Sequence, residues 1–294
     1  MKHSPLHGPA YRRTVRNLLI FTVVTLGSGW LGIAVDQAAG TADPQQGLGI
    51  LLWILLPMTT GLLLRALGGD GWQDAGLKPH LQAGWRWYIV ALLLFPFISL
   101  LVFGLGVLFG AFTFPATAAQ SGSALVSLVA IGFASSFVKN ILEEFAWRGY
   151  LTPRFAATTG NPWTIHLLTG LIWAGWHIPY WIHFVDVRQF TALPLPVFMA
   201  GAAFTLVITA VTYGELRLLS NSVWPGVILH SVANAVTAAL LLHGLLQLNG
   251  GVGILLSPGN DGLVHSILFA VAGVGLYQYR MRRRVVEPSG RDVP

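Results

Sequence analysis

Long apolar runs recur along this chain, divided by short connections that hold most of its charged residues. Eight runs reach the length that a hydrocarbon core of ~30 Å demands at a helical rise of ~1.5 Å per residue. They lie near 15–36, 47–67, 86–113, 124–152, 163–184, 194–213, 222–246 and 262–280. The third and fourth exceed that length, which predicts tilt or an extension beyond the bilayer. The pattern predicts an all-α membrane protein, a bundle of about eight transmembrane helices. It forms a single integral-membrane domain, with helices 1–3 and a loop in 1–123, a core in 124–246, and a last helix with a basic tail in 247–294. No internal repeat or pair of broken helices argues for a transporter.

The charges test the count. Eight spans put both termini on one side. Every Lys and Arg then falls on that side, except Lys139 inside a span and Arg188 opposite. Such asymmetry predicts cytoplasmic termini in the cell membrane. Glu215 and Arg217 would be solvated in a cytoplasmic loop, and Asp186 would pair with Arg188 in an outer one. Loop Gly68–Ala83 is the longest cytoplasmic connection and could hold a short interfacial helix. Segment Gln247–Gly262 reads as a loose outer loop, and the tail after Arg284 as disordered. Trp85, Trp87, Trp163, Trp181 and Trp224, near segment ends, suit interfacial belts.

Composition narrows the function. Charged residues make up 10% of the chain and hydrophobic ones 54%. A soluble domain carries roughly 25% charged residues, so the lipid bilayer is the natural solvent. The absence of cysteine excludes a disulfide framework, thiolate metal sites and a cysteine nucleophile. The pI near 10 does not point to nucleic acid, because the basic residues sit beside apolar runs, where they set topology and meet anionic lipid. Arg12, Arg13 and Arg16 precede an apolar run from Leu18 to Val35, longer than the ~7–15 residues of a cleaved leader, and read as the start of the first span.

Ionisable groups inside apolar helices are expensive and need a reason. Glu144 and Arg148 share a face of the fourth segment and can pair, while Glu143 points elsewhere. His177 stands one turn after Trp173 in the fifth segment, and His230 one turn before Asn234 in the seventh. A structural ion pair and interhelical hydrogen bonds would explain each alone. Depth links them. Counted from the cytoplasmic ends, Glu143 and His230 lie at ~12 Å, Asn234 at ~18 Å and His177 at ~21 Å, so they could line one cavity open to the cytoplasm.

Peptide hydrolysis needs an activated water, a stabilised oxyanion and a proton for the leaving amine. A glutamate in an apolar pocket suits the general base and later acid. One histidine can hold the water, and a second with an asparagine amide can donate to the oxyanion. No serine or threonine is placed with a matching base. Zinc on Glu143, His177 and His230 is an alternative, because His₂Glu with an open position is hydrolytic. Against it, the spacing is not that of a His-Glu-x-x-His helix. A non-catalytic immunity or interaction protein is a third reading.

The chain resembles the CAAX protease and bacteriocin-processing membrane peptidases, also called the Abi or lysostaphin-resistance-like family. The resemblance rests on Glu143-Glu144-Phe-Ala-Trp-Arg148 with Gly149-Tyr150-Leu151, on Trp173-Ala-Gly-Trp-His177, and on His230-Ser-Val-Ala-Asn234 after Ser222-Val-Trp-Pro-Gly. It covers roughly 124–246 and implies an eight-helix bundle. It also implies that Glu143 and His177 activate water, that His230 and Asn234 form the oxyanion hole, and that Glu144 and Arg148 support them, with no cofactor. The substrate would be a peptide or membrane-anchored protein: a prenylated C-terminal motif, a bacteriocin leader or a signalling peptide. Trp147 and Trp173 stand where the family usually has phenylalanine. Lys139, four residues before Glu143, could pair with it or reach a neighbouring acid or a wet cavity.

Overall fold

A computed structural model describes residues 6–114, 122–189, 191–243, 245–259 and 262–286. Lys2, Arg291 and the polar tail lie outside them, as does the Arg284 side chain. The chain is helical nearly throughout. Helices α1 (Gly8–Ala39), α2 (Leu48–Ala66) and α3 (Leu81–Leu108) precede a two-residue strand β1 (Phe112–Thr113). Helix α4 (Gly122–Glu144) runs through a π-helical turn (Phe145–Leu151) into α5 (Thr152–Thr158). Helix α6 (Pro162–Pro179) ends in a second π-turn (Tyr180–Phe184). Helices α7 (Leu195–Ser220) and α8 (Trp224–Thr237) follow, then β2 (Gln247–Leu248), α9 (Gly250–Leu255) and α10 (Leu263–Val286).

Among the described residues, six helices are long and apolar enough to cross a membrane: α1, α2, α3, the stretch Leu125–Thr158, α7 and Trp224–Leu242. The protein is a multi-pass integral membrane protein. The other two expected segments, 163–184 and 262–280, are also helical, as α6 with its π-turn and α10. Helix α6 carries His166, Thr169 and His177, of which His166 and Thr169 are buried against the bundle, while Leu167 and Leu171 face outward.

Small residues set the helix spacing. Gly32 of α1 lies against the Gly49 backbone of α2, and a Cβ at Gly132 of α4 would stand 3.1 Å from the Ala235 backbone of α8. Without side chains at these points the helices approach closely, as membrane helices do at small residues. The α4–α8 contact fixes the carboxylates of one helix against the imidazole of the other. Trp53 of α2 and Trp176 of α6 stack at 4.0 Å, and each indole donates to the other residue's carbonyl, at 2.9 and 3.1 Å.

Several expected loops prove to be structure. Glu215 and Arg217, expected in solvent, are buried, because α7 runs on for two turns beyond 213. Glu215 accepts from Arg280 of α10 at 2.5 and 2.7 Å and pairs with His166 of α6 at 2.8 Å. Segment 68–80 holds no interfacial helix; it folds inward on Asp70 and Asp74, which meet Tyr150, Arg65 and Arg154. In Gln247–Gly262, β2 pairs with β1 and α9 follows, so this connection is not loose over its described part. Trp85 and Trp163 are exposed as a belt requires, but Trp87 and Trp181 are buried. Asp186 and Arg188 form the expected exposed pair at 2.8 Å.

Candidate active site

The site is built where α4 ends. Glu143 and Glu144 close the helix, and the π-turn after them is buried at every residue. A π-turn takes backbone groups off the regular ladder, and away from water each needs a new partner. Two arginines supply them. Arg217 Nε donates to the Arg148 carbonyl at 3.0 Å, and Arg65 Nη2 donates to the Gly149 carbonyl. Arg217 also reaches the Asp74 carbonyl at 2.6 Å, and Arg65 the Asp74 carboxylate at 2.8 Å. Residues that serve the sequence pattern as topology charges thus clamp the turn that presents the carboxylates.

Glu143 is 2% exposed and turned into the bundle. Its Oε1 accepts from Lys139 Nζ at 2.5 Å, and its Oε2 from Trp173 Nε1 at 3.4 Å. Of the partners open to Lys139, it takes Glu143. His177 and His230 also lie within electrostatic reach of this carboxylate. Glu144 does different work. Its Oε1 accepts from Arg148 Nη1 at 2.9 Å and from His230 Nδ1 at 3.1 Å, so it joins α4 to α8. The Arg148 guanidinium is sandwiched between Trp173 and Tyr213, 4.4 Å from each ring centroid. Such a desolvated cation–π sandwich contributes about 2 kcal/mol or more.

Each candidate imidazole has one nitrogen committed. His177 Nδ1 donates to the Trp173 carbonyl at 2.9 Å, which in the neutral ring leaves the Nε2 lone pair for a water. His230 Nδ1 is held by Glu144, and its Nε2 is left for substrate. Asn234 is set by a relay: its Nδ2 donates to Asn140 Oδ1 at 3.2 Å, and Asn140 Nδ2 donates to Ser231 Oγ at 3.1 Å. Trp173 ties the group together, with its ring centroid 5.6 Å from His230 and 6.1 Å from His177.

His177, His230 and Asn234 line one cavity of about 350 Å³, together with Lys139, Trp173 and Tyr213. The cavity does not open towards the basic end, as the depth of these residues had suggested. It runs the other way, past Gly132 and Thr209 to Leu242, Gly259 and His265. The physical reason is the ionic layer of Arg65, Asp70, Asp74, Arg154 and Arg217, which packs under the π-turn and fills that end.

Sequence reasoning missed Asn140, Ser231, Tyr213 and Gly226. Asn140 carried a signal, being an amide in an apolar helix one turn before Glu143. Of the histidines at segment ends, His166 and His183 hold acids (Glu215 and Asp36), while buried His265 lies on the far cavity wall with no hydrogen-bond partner among the described residues. Gly226 matters for space. A Cβ there would stand 2.6 Å from Glu144 Oε2. Gly226→Ala is expected to cost about 1–3 kcal/mol by overpacking and to push Glu144 off His230. Thermal unfolding in detergent, read beside peptide turnover, checks both effects.

Residues 124–236 match the family model described as Rce1-like, type II CAAX prenyl endopeptidase. Every candidate residue from Glu143 to Asn234 lies inside the match. This core is similar to the Rce1-like family. On this match the chain is a hydrolase, an intramembrane endopeptidase. No curated protein sequence matches it. Among the described residues, no three His, Asp or Glu side chains group so as to hold a metal ion. The nearest acid to His230 is Glu144, bound to the nitrogen it would otherwise leave free.

Proposed function

We propose that this protein is a glutamate-type intramembrane endopeptidase of eight spans with cytoplasmic termini, and that it cuts a peptide bond in a membrane-associated peptide or protein. One observation carries the reading: the buried carboxylate of Glu143 lies beside a cavity whose wall holds His177, His230 and Asn234, all within the family-matched core. A water between Glu143 and His177 Nε2 loses a proton to Glu143 as its oxygen attacks the scissile carbonyl. His230, with its Nδ1 hydrogen on Glu144, donates from Nε2 as the imidazolium, and the Asn234 amide donates beside it, to the oxyanion as charge develops. Glu143 then passes the proton to the departing amine. Glu144 and Arg148 position His230, and Asn140 positions Asn234.

The lining suits an apolar substrate. Trp53, Phe95, Trp181, Phe198 and Phe269 form much of the wall, relieved by Thr205 and Thr209. The substrate then enters from the bilayer or from the end away from the basic residues. The test is a peptidome comparison of membranes bearing wild-type protein or Glu143→Gln. A peptide or membrane protein that accumulates uncut only with the variant is the expected result and names the substrate. Identical cleavage patterns would remove Glu143 from the mechanism.

A further inference from the structure

Glu143 meets the cavity with a counter-ion already on it. Lys139 occupies Oε1 and the Trp173 indole occupies Oε2. A water that is to be deprotonated needs one of these oxygens. The two ends of the ion pair differ in freedom: the Glu143 side chain is 1% exposed and that of Lys139 is 41% exposed. The carboxylate is fixed by its surroundings, and the ammonium is not. Lys139 sits one turn before Glu143, on the face of α4 that also brings Gly132, Ser135 and Ser136 to the cavity wall. Its side chain can swing along that wall without disturbing the core.

The cavity's charge is one-sided. Lys139 is the only Lys, Arg, Asp or Glu on its described lining, and its other basic groups are the imidazoles of His177, His230 and His265. An arriving ligand meets an ammonium and no open carboxylate. That environment complements an anion.

We propose that Lys139 is a displaceable lock on Glu143, released when a carboxylate of the bound peptide takes over its ammonium. The proposal rests on Glu143 as the base. Exchange of one carboxylate for another suits lysine, a point charge with three donors on a flexible four-carbon stem. Once the ammonium leaves, Glu143 has an oxygen for the water, and its buried charge is relieved by taking the water's proton. Without the peptide's carboxylate, the pair stays closed and idle hydrolysis is suppressed. Lys139 stands about 6 Å along the helix from Glu143. The carboxylate therefore belongs to one of the few residues next to the scissile bond, at roughly 3.5 Å of extended chain each. It is either the α-carboxylate of a peptide C-terminus or an acidic side chain.

The experiment uses the purified full-length protein in detergent and a synthetic library of apolar peptides. Each peptide is made as the free acid, as the neutral C-terminal amide, and as an amide with Asp near its end, and products are read by mass spectrometry. Wild type is expected to cut an anionic form at least about tenfold faster than the neutral amide, the change that one charge partner produces. Preference for the free acid alone assigns the α-carboxylate, and preference for the Asp amide alone assigns a side chain. Lys139→Gln is expected to bring the ratio near one by speeding the neutral amide, and Lys139→Arg to keep the preference. Wild type that cuts neutral and anionic forms alike would overturn the lock and leave the peptidase standing. So would a Gln variant that keeps the full preference, or one inactive on every form while the Arg variant works. Failure of all three proteins on every form would overturn the peptidase reading itself.

Discussion

Arg148→Ala is expected to destabilise the protein by about 3–5 kcal/mol and to abolish cleavage, because it strands a carboxylate in the core. Arg148 and Glu144 are both fully buried, and their contact is 2.9 Å. Glu144 Oε2 has no hydrogen-bond partner among the described residues. Removing the guanidinium would leave a buried charge whose remaining partner is His230, and would empty the slot between Trp173 and Tyr213. Lysine would restore charge but not the planar fork that stacks between two rings, so Arg148→Lys is expected to fall between. The double variant Arg148→Ala with Glu144→Gln should recover part of the loss, because no unpaired charge then remains. Thermal unfolding of the four proteins in one detergent measures this. A single variant that melts like wild type, or a double variant less stable than the single, would show that the pair is not what holds the site.

The helical plan was legible because the bilayer imposes it. Runs at 47–67 and 194–213 return as Leu48–Ala66 and Leu195–Ser220, since apolar length is a direct physical requirement. The far end of α7 was not legible. Glu215 and Arg217 look like loop charges in one dimension, and only the arrival of His166, Arg280 and the π-turn carbonyl makes their burial tolerable. Asp70 and Asp74 are the same case. A charge in a short connection beside a span reads as solvated, yet partners distant in the chain draw it inward. The direction of the cavity followed from this error, since the ionic layer fills the end that the charge pattern had left open.

The site was readable residue by residue and unreadable in its wiring. An acid, two imidazoles and an amide in apolar helices stand out by cost alone. The i,i+4 rule also found Glu144 with Arg148, and Lys139 with Glu143 as one of its choices. It cannot find pairs between helices. Glu144 with His230, Asn140 with Asn234, and Trp173 with Glu143 depend on how α4, α6 and α8 cross. The close approach at Gly132 and Ala235 sets that crossing, and a lone glycine in an apolar run does not announce its partner.

Glu143→Gln is the other large effect. The amide is nearly the size of the acid and keeps a carbonyl oxygen for the Trp173 indole, so the fold should survive. It cannot accept a proton from water, and general-base catalysis contributes about 10²–10⁴ in rate. Loss of the charge also removes the partner that holds Lys139, so substrate should bind at least as well as to wild type. The direct measurement is single-turnover cleavage of one defined peptide by purified wild type and Glu143→Gln, with peptide binding measured in parallel. A cleavage rate lower by about 10²–10⁴, with binding retained, is what a water activated by this carboxylate predicts. A variant that binds the peptide and cleaves it at the wild-type rate would contradict it.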